Sequence, residues 1–221
     1  MDIAGPPSEL VEVKSGRKSY YESVNIVLTK KEGQNHAMAH QFNTSYVQDS
    51  TEIFCYYKKL AERAMEQCPD QGLFATLDKE SNSIAIIVKH FAGNARSRWT
   101  DLLTTDGEKP DRNRDSEFEN APKTRTELLA AWEQGWKCVL DALVGLSDAD
   151  LGRMITIRGE AHSVMQAINR QIAHYSYHIG QIVLLSKHFA AEQGKWTAVT
   201  IPRKQSSQFN ADVAAGKKSQ R

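Results

Sequence analysis

Apolar residues recur at helical spacing in four long stretches of the chain. In the first, residues 45–68, one stripe runs at intervals of three, four and seven positions: Tyr46, Ile53, Tyr57, Leu60, Ala64 and Cys68. Residues three and four positions apart share one face of an α-helix, so this stripe predicts an amphipathic helix. Pro69 ends it, because proline cannot continue the hydrogen-bond ladder of a helix.

Three further helices are predicted. The second, residues 82–103, opens on Asn and Ser, which are good N-cap residues. The third, residues 124–145, and the fourth, residues 163–189, each open with a Thr or Ser that is followed three positions later by Glu or Gln, the spacing of a capping box. Between the last two, Ile155 and Ile157 alternate with polar neighbours, which indicates a short extended segment.

A charged connection of about 20 residues, 104–123, separates the second and third helices and shows no periodicity. A connection this long is expected where consecutive helices of a bundle run parallel rather than antiparallel. The pattern therefore predicts an all-α fold, a four-helix bundle with a long crossover between helices two and three.

The two ends of the chain lack this pattern. Residues 1–43 are polar and predict a poorly ordered or loosely docked extension, in which Met38 is a candidate for the real translation start. The bundle is expected over residues 44–210. The Lys- and Ser-rich residues 211–221 predict a disordered tail.

Composition narrows the class of protein. Apolar residues make up 40% of the chain and charged residues 25%, with a net charge of +1, so an ordinary globular domain without general affinity for nucleic acid is expected. Three scattered cysteines and no CxxC pair argue against a disulfide framework. No apolar run approaches the roughly 18 residues of a membrane span, and the N-terminus lacks signal-peptide features. A cytoplasmic protein without a membrane partner is predicted.

The candidate chemistry is a set of three histidines. His174 and His178 lie four positions apart in the fourth helix, and His90 lies in the second. Two imidazoles one turn apart and a third from a facing helix match the ligand set of a catalytic zinc-type site. The alternative is that they are hydrogen-bonded core residues. His36 and His40 have the same spacing in a polar segment, where chance is the better explanation.

Polar neighbours on the same faces are candidates for binding a substrate. On the second helix, Asn94 and Ser97 share the face of His90, and Gln181 lies near the pair on the fourth. No catalytic base is assigned. In the crossover, residues 106–119 offer Arg112 and Arg114 to a phosphate, but acidic neighbours fit an internal salt-bridge network as well.

At these residues the chain resembles the DinB/YfiT-like superfamily of metal-binding four-helix bundles, within a branch of uncharacterised bacterial proteins. The segments that carry the resemblance are residues 81–119, residues 157–190 and TIPRKQSSQFN at residues 200–210. With the first helix, the resemblance spans residues 42–210.

The resemblance implies an up-down-down-up bundle, often a homodimer, with one divalent metal, commonly nickel or zinc. Carried over to this chain, its three ligands are His90, His174 and His178. Characterised relatives include transferases that use a low-molecular-weight thiol such as bacillithiol and mycothiol-dependent isomerases, whereas others are known only as damage-inducible proteins.

Two hypotheses follow. The first is a metal-dependent thiol transferase or hydrolase acting on a small molecule, in which the metal activates a thiol or a water. The second is a non-catalytic, stress-related binding or interaction protein built on the same metal-binding bundle.

Overall fold

The computed structural model describes residues 45–219, so the predicted extension over residues 1–43 and the candidate start at Met38 lie outside it. Six α-helices and two strands occur in the described part of the chain: α1 Tyr46–Gln67, α2 Asp70–Phe74, α3 Ile84–Trp99, α4 Arg125–Val144, β1 Met154–Ile157, β2 Glu160–Ser163, α5 Val164–Ala191 and α6 Ser206–Ala214. The four long helices are those predicted. None of these helices is long and apolar enough to cross a bilayer.

The residues predicted to be N-caps do cap their helices. The hydroxyl of Ser83 accepts the backbone N–H of Ile86, which begins α3, and that of Thr124 accepts the N–H of Glu127, which begins α4. At the start of α5, Ser163 and Gln166 form a reciprocal capping box. The prediction for the end of the second helix was wrong by four residues: α3 ends at Trp99, because Asp101 turns into the left-handed region with φ 48°.

Four helices share one aromatic centre. Helix α3 packs along α4, α1 packs along α5, and further contacts join α3 to α5 and α1 to α4. Six rings at the centre are each at most 3% exposed: Phe54, Phe91, Trp99, Trp132, Trp136 and Tyr175. Their neighbouring centroids lie 4.8–6.3 Å apart, mostly edge to face, which is the favourable arrangement for aromatic pairs.

The fold is mostly helical, as predicted, but it contains one small two-stranded sheet that the all-α class does not include. The alternating segment at Ile155 and Ile157 does form a strand, and it pairs with β2 in an antiparallel hairpin. The connecting turn consists of Arg158 and Gly159, with φ 57° and 74°. Two positive φ values give the turn the twist that a two-residue hairpin requires.

The crossover is held in place by the hairpin and by α3. The Asp106 carboxylate accepts the backbone N–H groups of Arg158 and Gly159 at 2.8 Å each, and the N–H of Gly107 donates to the Thr156 carbonyl at 2.8 Å. Further along, a 3₁₀ turn spans Asp115–Phe118. The connection therefore has a fixed path over α3, although its sequence shows no periodicity.

The predicted tail begins inside a helix. Helix α6 runs over Ser206–Ala214, four residues beyond the boundary expected at Asn210. Within α6, the Gln208 amide donates a hydrogen bond to the Asp212 carboxylate at 2.9 Å. Lys218, which follows the helix, forms an ion pair with the same carboxylate at 2.9 Å and so holds this segment against α6.

Candidate metal centre

The structure brings the three predicted histidines together. Each of His90, His174 and His178 offers a ring nitrogen, and the three nitrogens lie within 4.8 Å of one another. His90 comes from α3, and the other two lie one turn apart on α5. His90 and His178 are buried and His174 is half-buried. Convergence of this kind requires α3 and α5 to pack with these faces towards each other.

The His90 ring is oriented by a carboxylate from the crossover. Its Nδ1 lies 2.8 Å from Oε2 of Glu117, and both side chains are at most 7% exposed. The ammonium of Lys89 donates to the backbone carbonyl of Glu119 at 2.6 Å, which binds the 3₁₀ turn to α3. A charged acceptor at Nδ1 places the proton there, so the lone pair of His90 is on Nε2.

The two histidines of α5 are oriented in the same way by glutamines. Oε1 of Gln181 lies 3.0 Å from Nδ1 of His178, and Oε1 of Gln171 lies 3.4 Å from Nδ1 of His174. Each carbonyl oxygen can only accept, so it also selects the tautomer with the proton on Nδ1. All three rings therefore keep Nε2 free as a ligand, the outer-shell arrangement typical of metal-binding histidines.

These residues fit a divalent cation. Nε2 of His174 and Nε2 of His178 lie 3.1 Å apart. Two lone pairs at that distance repel each other, unless a proton or a metal ion lies between them. Ligands at about 2.0–2.1 Å from one tetrahedral ion are about 3.3 Å apart, close to the spacing observed.

The protonation state of the α5 pair suits the same role. Burial lowers the pKa of His174 to about 3, with smaller contributions in the same direction from repulsion by the neighbouring histidines and Arg170. Burial likewise lowers the pKa of His178 to about 4. Metal binding needs neutral imidazole, and these two rings remain neutral throughout the physiological pH range.

The three predicted substrate residues have different surroundings. Asn94 lines the cavity beside the histidines, and its Oδ1 accepts from the buried hydroxyl of Tyr175 at 3.2 Å. Ser97 instead holds the crossover, because its hydroxyl donates to the Gly107 carbonyl at 2.8 Å and accepts from the N–H of Lys109 at 3.1 Å. Gln181 orients His178 and does not line that cavity.

Sequence reasoning missed Glu117 as part of the centre. It lies 27 residues beyond His90, in a segment without periodicity, so no spacing rule could relate the two. For the crossover, the sequence left open either a phosphate site or an internal salt-bridge network, and its two arginines differ in this respect. Both line the cavity, but Arg112 joins an internal salt-bridge network with Glu117 at 2.8 Å, whereas Arg114 lies over the Phe118 ring at 5.0 Å.

Comparison with known proteins identifies a similar structure and the family of this chain. A DinB-like protein from Bacillus cereus ATCC 10987 has a similar structure, with a TM-score of 0.53 and 12% sequence identity over 66% of this chain and 94% of that one. A search of curated proteins finds no match. Residues 41–205 match the family model described as "Protein of unknown function (DUF1572)". This match covers most of the chain, and the chain therefore belongs to the DUF1572 family, on a mostly helical fold of the DinB type.

Proposed function

We propose that this protein is a metal-dependent enzyme, a thiol transferase or hydrolase, whose divalent cation is held by His90, His174 and His178. Nickel or zinc is the expected metal, a low-molecular-weight thiol is the expected co-substrate of the transferase, and an up-down-down-up bundle is the expected topology. The observation that carries the proposal is that an acceptor oxygen faces Nδ1 of every ring, which leaves three Nε2 lone pairs within reach of one ion.

Held by these three imidazoles, a divalent cation would supply a Lewis acid that lowers the pKa of a bound thiol or water. Around it, Glu117 keeps the proton on Nδ1 of His90. Asn94 lines the cavity and offers its amide N–H to a substrate. Tyr175 fixes the orientation of that amide through its hydroxyl.

The surroundings favour thiol transfer over hydrolysis. Among the described residues that line the cavity, none is a carboxylate. The two oxygens of the nearby Glu117 are taken by His90 and by a bidentate contact with Arg112 at 2.8 and 2.9 Å, so this carboxylate is not free to act as a base. A thiol is acidic enough to react without a separate base, whereas water activation usually uses one.

The test is elemental analysis of untagged protein, followed by assays with pairs of thiols and electrophiles. We expect near-stoichiometric metal and a turnover that both disappear in His174→Ala. His188→Ala is the matched control, since His188 lies on the same helix but is exposed and paired with Glu192. Protein that holds no metal after attempts to reload it would refute the proposal.

The same assays separate the rival function. A non-catalytic binding protein would lose metal in His174→Ala but would show no turnover with any pair. The homodimer and the cytoplasmic location remain predictions, which sedimentation and cell fractionation can test.

A further inference from the structure

Five guanidinium groups surround the cavity beside the histidines, which has a volume of about 320 Å³. They come from separate parts of the fold: α3, the crossover, the hairpin turn and α5. The five residues are Arg98, Arg112, Arg114, Arg158 and Arg170. His90 and His174 line the same cavity, so whatever these arginines bind also reaches the candidate metal centre.

Too few carboxylates are present to balance these charges. Glu108 is shared by three of the arginines: Arg98 and Arg158 approach it at 2.9 Å and Arg112 at 3.2 Å. The only other ion-pair partner of the five within residues 45–219 is Glu117. Five positive groups and their two ion-pair partners leave an excess of three positive charges beside this cavity, which the nearby Asp106 carboxylate reduces but does not remove. Such an excess is unfavourable without an anion, because like charges repel at short range.

Two of the five have no ion pair at all within the described part of the chain. Arg114 is exposed, and its guanidinium lies over the face of Phe118, 5.0 Å from the ring centroid. Arg170 is also exposed and lies four residues before His174 on α5, hence on the same helix face. Their donors are available to a ligand in the cavity.

Arg158 is held beside the cavity at a conformational cost. It adopts φ 57° in the hairpin turn, a position at which Asn, Asp or Gly is the usual residue. For other side chains the left-handed region is sterically unfavourable. The Asp106 carboxylate accepts the N–H groups of Arg158 and Gly159, which stabilises this turn. The strain is thus maintained at a residue whose side chain lines the cavity.

We propose that this cavity binds a small molecule that carries a doubly charged oxyanion, either a phosphate ester or a dicarboxylate. Arg114, Arg158 and Arg170 bind the anionic group, and the rest of the molecule extends to the histidines. Guanidinium forks match the oxygens of phosphate and carboxylate, and the cavity has the size of a small-molecule site. The inference rests on the proposed function in that it takes this cavity to be where the enzyme's substrate binds.

The test is calorimetric titration of metal-free, full-length protein with inorganic phosphate and with malonate, at constant ionic strength. Removing metal first prevents the probes from binding through it. We expect Arg170→Gln and Arg114→Gln each to weaken binding about 10- to 100-fold, the loss typical of one charged hydrogen-bonding group. Arg153→Gln is the control, because Arg153 is an exposed arginine that pairs with Asp150 away from the cavity.

Tighter binding of phosphate would identify a phosphate ester as the ligand, and tighter binding of malonate a dicarboxylate. A His174→Gln, His178→Gln double variant should still bind the better probe, because the arginines bind it without the metal. If the native protein cannot be loaded with metal but still binds the probe, the proposed function is refuted and this inference stands. Absence of saturable binding by either probe, or an equal loss in Arg153→Gln, would overturn it. Circular dichroism of each variant checks that the fold is intact.

Discussion

The same helices build two very different regions, the aromatic centre and the histidine centre. On α3, His90 belongs to the histidine centre and Phe91 to the aromatic centre. On α5, His174 likewise belongs to the histidine centre and Tyr175 to the aromatic centre. Successive residues of a helix point about 100° apart, so one helix can supply a ligand and a core ring from adjacent positions. The aromatic centre is stabilised by buried area, which has little directional requirement. The histidine centre depends on hydrogen bonds whose partners must be correctly placed.

This difference leads to opposite expectations for mutations. A change in the aromatic centre should lower global stability and leave the metal site unchanged as long as the protein is folded. A change among the orienting groups should affect metal affinity with less effect on stability.

Replacing Phe54 with alanine is the largest change. Phe54 is fully buried on α1 and contacts the rings of Trp99, Trp136 and Tyr175. We expect a loss of about 3–5 kcal/mol in the free energy of unfolding, because the cavity left behind cannot collapse. Urea titration measures this loss. Metal content per folded molecule should remain unchanged, and its parallel loss would show that the two regions are not separable.

Replacing Glu117 with glutamine tests the orienting hydrogen bonds. Burial alone would raise the pKa of Glu117, but hydrogen bonds from His90 and Arg112 hold it below its usual value, so the native group is a carboxylate. The amide is uncharged and accepts less strongly, and metal affinity should fall about 10- to 100-fold. Competition with a chromogenic chelator measures the affinity. Glu127→Gln, at the exposed start of α4, is the control, and an equal loss there would contradict the assigned role.

The sequence predicts those features that depend on local spacing, and it does not predict contacts between distant segments. The four helices and the histidine pair could be predicted because they depend on spacing and capping within one segment, as at Ser163 and Gln166. The His90–Glu117 contact joins residues from a helix and an aperiodic crossover, so only the folded chain relates them. The hairpin was partly predicted from Ile155 and Ile157, since alternation revealed β1 but not its partner.

Two glycines offer a matched pair of smaller changes. A Cβ at Gly135 would lie 2.8 Å from Cε1 of Phe91, and one at Gly93 would lie 2.6 Å from the carboxyl carbon of Glu117. Gly135→Ala should therefore lower the free energy of unfolding by about 1–3 kcal/mol through overpacking of the aromatic centre. Gly93→Ala should displace the carboxylate instead, and weaken metal binding severalfold with little loss of stability. The free energy of unfolding and the metal affinity should be measured for both variants. If Gly135→Ala mainly weakened metal binding, or Gly93→Ala mainly lowered stability, the separation of the two regions would be wrong.

The smallest effect expected is a pH dependence confined to the histidine centre. In the unfolded chain histidine has a pKa of about 6.5. In the folded protein, burial lowers the pKa of His174 to about 3 and that of His178 to about 4. Below pH 6.5 the unfolded chain therefore takes up protons that the folded protein does not. The stability of metal-free protein is complete above that pH and falls as the pH drops towards 4.

Allowing for partial exposure of these rings, we expect a loss on the order of 1 kcal/mol per pH unit, or about 2–4 °C in Tm. Melting curves with chelator from pH 7.5 to 4.5 measure it. The comparison is with the His174→Gln, His178→Gln variant, in which every carboxylate still titrates but the two imidazoles are absent. The Tm of the native sequence should fall more steeply than that of the variant. Parallel curves would mean that the two rings take up protons equally in the folded and unfolded chains. The histidine centre would then not be the buried, neutral site that metal binding at moderately acidic pH requires.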